Sequence, residues 1–124
     1  MFVIQLYRED EEYLSSHDAI LRIAPVFRHV VLDRARGEAE YRQEWDKCIR
    51  LKAPEGILER YSLANCRTVW VEIADADGPD DWVRFPLWSR RDIFIEFASA
   101  AQWERLRPTV EKLAGLLDYG IDVE

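Results

Sequence analysis

Three features of the sequence predict an α+β domain with a largely antiparallel sheet of four to five strands and helices packed on one face. Strand-like and helix-like segments alternate irregularly, not as regular β-α repeats. Three strand-like segments crowd together between residues 67 and 98, and short connections make such neighbours antiparallel. Each of the three carries apolar residues at every second position, the period of a strand with one buried face. The order β-α-β-α-α-β-β-β-α suggests a ferredoxin-like sandwich elaborated between its halves. The 124 residues fit one domain, and chains of this size bury a core without staples.

The elements follow in order. Phe2 to Tyr7 is a short apolar run that reads as a strand. The four acids Glu9 to Glu12 must be solvated. Ser15 with Asp18 is close to a capping box, and Ala19, Ile20, Ile23 and Ala24 form the inward stripe of a helix that Pro25 keeps short. Val26 to Leu32 is rich in β-branched residues and reads as a strand, with a helix broken at Pro25 as the alternative. Arg34 to Gly37 is expected to be a break. Glu38 to Leu51 is expected to be a helix, with Tyr41, Trp45, Cys48 and Ile49 at helical spacing. Pro54 opens a further short helix reaching toward Tyr61.

Asn65 begins a loop, and strands follow at Arg67 to Ala74, Trp82 to Trp88 and Ile93 to Ala98. Asp75 to Asp81, with Gly78 and Pro79, is strong turn chemistry between the first two. Ser99 and Gln102 make a Ser-x-x-Gln box. The helix they open places Trp103, Leu106, Val110, Leu113 and Leu117 on one face. Pro108 is expected to kink or split it, and Gly120 to end it.

Alternation assigns two unlike faces to the sheet. Val69, Val71, Ile73, Val83, Phe85, Leu87, Ile93, Ile95 and Phe97 fall on one side, with Phe2, Ile4 and Leu6. The other side receives Trp70, Glu72, Trp82, Arg84, Trp88, Phe94 and Glu96, joined by Tyr7, Val3 and Gln5. Carboxylates and a guanidinium are costly to bury unpaired, whereas large aromatics are costly to leave in water. A face holding both has the composition of a binding patch. Tyr7, Trp70, Glu72, Trp82, Arg84, Trp88, Phe94 and Glu96 are therefore the candidate binding residues. Residues 38 to 61 could instead cover this face, or a second copy of the chain could.

Charge narrows the classes of function. The formal net charge is -7, which argues against duplex nucleic acid and anionic membranes, because phosphate binding needs clustered Lys and Arg. It suits a basic protein partner or a cationic or amphipathic small ligand. Aromatics on an antiparallel sheet resemble single-stranded RNA platforms, but the flanking basic residues and the RNA-binding consensus are absent. No run reaches the ~20 apolar residues of a membrane helix, and Met1-Phe2-Val3-Ile4 lacks the basic start of a signal peptide. Cys48 and Cys66 form no Cys-x-x-Cys motif, so reduced thiols in the cytoplasm are expected, with Cys48 a small core residue.

No strong catalytic signature is present, and no cofactor or metal is expected. His17 reads as an exposed first-turn residue and His29 as a hydrogen-bonded structural one. A Glu72–Glu96 acid pair is conceivable as catalytic chemistry, but a Glu72–Arg84 bridge is the ordinary expectation. Asp75, Asp77, Asp80 and Asp81 lack the closing bidentate glutamate of a calcium loop. The sequence thus favours a binding module over an enzyme. An acidic domain that neutralises a basic partner, as immunity proteins and inhibitors do, is one concrete form.

Overall fold

The computed structural model of the chain describes residues 2–76 and 81–123. Its elements are β1 (Phe2–Tyr7), α1 (Ser16–Ile23), β2 (His29–Asp33), α2 (Arg34–Arg50), α3 (Glu55–Arg60), a 3-10 turn (Leu63–Asn65), β3 (Val69–Ala74), β4 (Val83–Leu87), β5 (Ile93–Phe97), α4 (Ala100–Leu117) and β6 (Gly120–Val123). The fold is α+β with two antiparallel sheets, ordered β2-β3-β4 and β5-β1-β6. β4 and β5 lie side by side but belong to separate ladders. Pro86 within β4 removes one backbone donor from that strand. Two three-stranded sheets thus stand where a single ferredoxin-like sheet of four to five strands was expected. The added strand is β6, which pairs with β1 from Ile4↔Val123 to Tyr7↔Gly120. No described helix is long and apolar enough to cross a membrane.

The core lies under the aliphatic side of both sheets. Val69, Val71, Ile73, Phe85, Ile95, Ile4 and Leu6 have no exposed surface, and α1 and α4 close over them through Ala19, Ile23, Val110, Leu113 and Leu117. Each of these side chains larger than alanine contributes roughly 1.5–3 kcal/mol by leaving water. Phe2 is only half-buried, its ring stacked on Trp103. Local capping places the two covering helices. Ser15 Oγ accepts from the Asp18 N–H at 3.1 Å, and Ser99 Oγ accepts from the Gln102 N–H at 3.2 Å. Gln102 Oε1 returns a contact to the Ala98 N–H at 2.7 Å.

Several boundaries differ from expectation, each for a physical reason. α4 runs unbroken through Pro108, because Pro108 sits on the exposed side, where water can satisfy the carbonyl it frees. The left-handed residue that ends α4 is Asp118, at φ 57, not Gly120. Gly120 instead gives room to Tyr7, whose Cζ would lie 3.0 Å from an added Cβ. Ala24 is exposed, since α1 ends one residue before it. The second strand begins at His29, three residues later than expected, after Pro25 and Val26 turn outward and Phe27 turns into the core.

The largest difference concerns residues 34 to 37. They form the first turn of α2, not a break, with Asp33 as N-cap accepting from the Arg36 N–H at 3.0 Å. Gly37 is buried within that turn, and an added Cβ would overlap the Thr68 carbonyl oxygen. Glycine here permits close approach of a helix to a strand, at the expense of helix propensity. Ile49 is 51% exposed and Cys48 only half-buried, so the expected α2 stripe is not a core stripe. Gly37→Ala is expected to lower stability by about 1–3 kcal/mol through overpacking. Gly56→Ala, with open space around it in α3, should be neutral or gain up to about 1 kcal/mol. Paired thermal melts of the two variants check this contrast.

Candidate functional site

The mixed face exists, with the strand parity read from the sequence. Trp70 and Glu72 alternate with buried neighbours on β3, Arg84 does so on β4, and Phe94 and Glu96 do so on β5. Val3, Gln5 and Tyr7 alternate in the same way on β1. Trp82, just before β4, meets His29 edge-on at 5.8 Å. His29 faces this side because it pairs with Ala74, in phase with Glu72 and Trp70. Its buried Nε2 has no hydrogen-bond partner among the described residues, so the expectation of a satisfied histidine fails at that atom. His17 is exposed, as expected.

The face is not one patch but three regions. In the first, α2 covers Trp70. The Arg36 guanidinium lies 3.5 Å from the Trp70 ring centroid, and Trp70 Nε1–H donates to Glu40 Oε1 at 2.8 Å. The close pass at Gly37 sets this contact, so Trp70 serves the packing of α2. Glu72 and Arg84 are register partners and pair at 2.9 Å, which is the ordinary cross-strand bridge. That bridge leaves Glu72 committed to a cation and not to an acid pair with Glu96. In the second region Tyr7 packs against Gly120 beside Arg8 and Asp10, at the far end of β1. It is not brought together with the tryptophans.

The third region is open. Trp88 and Phe94 flank the β4–β5 turn and line a cavity of about 500 Å³ with Tyr13, Arg90, Arg91 and Asp92. Phe94 is 45% exposed. The turn is tied to the segment before α1: the Arg90 N–H donates to the Leu14 carbonyl at 3.2 Å, with Arg90 at φ 58. Asp92 accepts from Gln5 Nε2 on β1. The neighbouring Asp92 carboxylate holds the Tyr13 hydroxyl above the usual phenol range, with burial of the phenol as the next cause; that hydroxyl donates to the Arg8 carbonyl at 3.2 Å. Tyr13 therefore stays neutral near pH 7, and its ring packs edge-on against Tyr119.

A second concavity, of about 520 Å³, lies on the other side of Trp88 and Arg91 and is lined by α2, α3 and the segment leading into β3. Tyr13, Arg90, Arg91 and Asp92, and the residues of this second concavity other than Trp88, were not among the candidate binding residues of the sequence. The run Ser89-Arg90-Arg91-Asp92 between two aromatics was the available signal. Tyr13 carried no signal of its own.

Two ends of the acidic hairpin connection are engaged by α4. Lys112 Nζ donates to Asp75 Oδ2 at 2.6 Å, and Arg105 pairs with Asp81 at 3.0 Å. Asp77 and Asp80 lie outside the described residues. Among the described residues no group of His, Cys, Asp or Glu is placed to hold a metal. Cys48 and Cys66 are both free thiols. No protein-family model, no curated protein and no solved structure matches the chain.

The Lys112 hydrogen bond, joined by the Arg28 N–H, holds the Asp75 carboxyl below its usual range. A depressed carboxylate adds stability above its unfolded pKa, and that stability is lost as pH falls through the folded value. Wild type should therefore lose thermal stability more steeply below about pH 4 than Asp75→Asn does. Melting curves across the acid range check the difference in slope.

Proposed function

We propose that this domain is a protein-binding module that docks a basic partner through the open part of its mixed face, with Trp88 and Phe94 as anchors. The observation that carries this reading is the exposed Phe94 beside Trp88 and Tyr13, in a cavity to which no described helix contributes a lining residue. Aromatics of this kind, ringed by arginine, are the usual high-energy centres of protein interfaces. The net charge of -7 steers a basic partner toward the domain over distances beyond contact, and at the contact Arg90 and Arg91 pair with that partner's carboxylates or carbonyls, not with its cations. Neutralisation of a cationic enzyme or toxin, as by an immunity protein, is the role that fits this combination. A reducing compartment such as the cytoplasm suits the two free thiols.

The second reading places a small amphipathic ligand in the same cavity. Its volume of about 500 Å³ falls within the ordinary range of ligand sites, roughly 300–1,000 Å³. Capture of host proteins on the immobilised chain separates the two. Trp88→Ala and Phe94→Ala should each weaken capture by about thirtyfold, near 2 kcal/mol. Leu51→Ala, at a distant site 71% exposed, should leave it intact. Capture that survives both anchor variants, or none at low salt, would remove the docking reading. A monomer–dimer shift lost with the same two variants would instead assign the face to a second copy of the chain.

A further inference from the structure

The concavity behind Trp88 differs in chemistry from the rest of this acidic protein. Arg60 from α3, Arg67 from the segment before β3 and Arg91 from the β4–β5 turn all line it. Two carboxylates, Glu40 and Glu44, share the wall. Glu40 is already engaged by Trp70 Nε1 at 2.8 Å and by Arg36 at 3.8 Å. Arg67 spends one nitrogen on the Ala64 and Cys66 carbonyls, which anchors its side chain and leaves the rest of the guanidinium available. Arg60 and Arg91 join no ion pair among the described residues. Three guanidiniums therefore face one uncommitted carboxylate, a local positive basin in a chain of net charge -7.

The walls between these charges are aromatic. Tyr41 of α2 and Tyr61 after α3 meet edge-on at 5.9 Å, and Trp88 lines the same concavity. Guanidinium groups bind carboxylate and phosphate oxygens in paired, charge-assisted hydrogen bonds. Tyrosine and tryptophan rings accept a planar group. Asn65, which also lines the concavity, donates its Nδ2 to the Glu59 carbonyl.

We infer that this concavity is a binding site for a small aromatic oxyanion, a planar ring bearing a carboxylate or a phosphate. The oxyanion lies at Arg60 and Arg91, with Arg67 behind them, and the ring lies against Trp88 and the tyrosine pair. The site goes beyond the docking reading; the two cavities share Trp88 and Arg91, and Phe94, which lines only the docking cavity, tells them apart.

Calorimetric titration of the intact chain with phenyl phosphate, benzoate, inorganic phosphate and benzylamine tests it. Saturable binding is expected for phenyl phosphate or benzoate, and the tighter of the two identifies the anionic group. Inorganic phosphate should bind more weakly than phenyl phosphate, and benzylamine not at all at matched concentration. Arg60→Gln and Arg91→Gln should each weaken the aromatic anion at least about tenfold, the loss of one charge-assisted hydrogen bond. Their melting curves should match wild type, since both side chains are exposed. Phe94→Ala should leave the anion affinity unchanged while it disrupts docking. Equal binding of benzylamine, absence of saturable anion binding, or affinities unmoved in both glutamine variants would overturn the inference. Loss of anion binding in Phe94→Ala would overturn it too, by moving the ligand to the other cavity.

Discussion

The burial of one row of side chains organises everything else. Val69, Val71 and Ile73 on β3 sit at no exposure, flanked by Val83, Phe85 and Leu87 on β4. Once that row is committed beneath α4, the intervening residues must point the other way, because strand periodicity is two. Trp70, Glu72, Arg84 and Trp88 therefore reach the opposite face as a consequence of the core, whatever their own chemistry. A slip of one residue would drive Glu72 and Arg84 into the core, where an unaccommodated ion pair costs several kcal/mol.

How much of that second face stays open depends on one close approach. Gly37 lets the start of α2 press on the Thr68 backbone, and Arg36 then stacks over the Trp70 ring while Glu40 accepts its indole N–H. The helix leans on β3 and continues toward α3 and the 3-10 turn. The β4–β5 turn is left uncovered, and its aromatics are the ones that remain at the surface. The helix thus shields one tryptophan and, with α3, builds a wall beside another.

The open region lies on a turn that hydrogen bonds tie to other parts of the chain. Arg90 takes a left-handed conformation and anchors to Leu14, Asp92 receives Gln5, and the Tyr13 hydroxyl donates to the Arg8 carbonyl. These bonds join β1, the segment before α1 and the β4–β5 turn, which are far apart in the chain. Side chains supported in this way lose less freedom on meeting a partner than side chains on a loose loop.

The sequence by itself determined what local rules govern. Strand parity followed from alternation, the starts of α1 and α4 from Ser15 and Ser99, and the buried stripe of α4 from its spacing. It also identified Trp88 and Phe94 as outward-facing. It misplaced the start of α2, because Gly37 reads as a breaker unless the Thr68 carbonyl opposite is known. It missed β6, because four residues after a helix become a strand only when the edge of β1 lies beside them. Only the tertiary structure decided which outward aromatics would be covered, and which arginines would line one concavity. Arg60, Arg67 and Arg91 lie on three separate segments, and no local pattern reports their convergence. Charge and aromatic content are properties of residues, whereas a cleft is a property of distances between elements. Those distances were set by the packing of α2 and α3, which local periodicity does not encode.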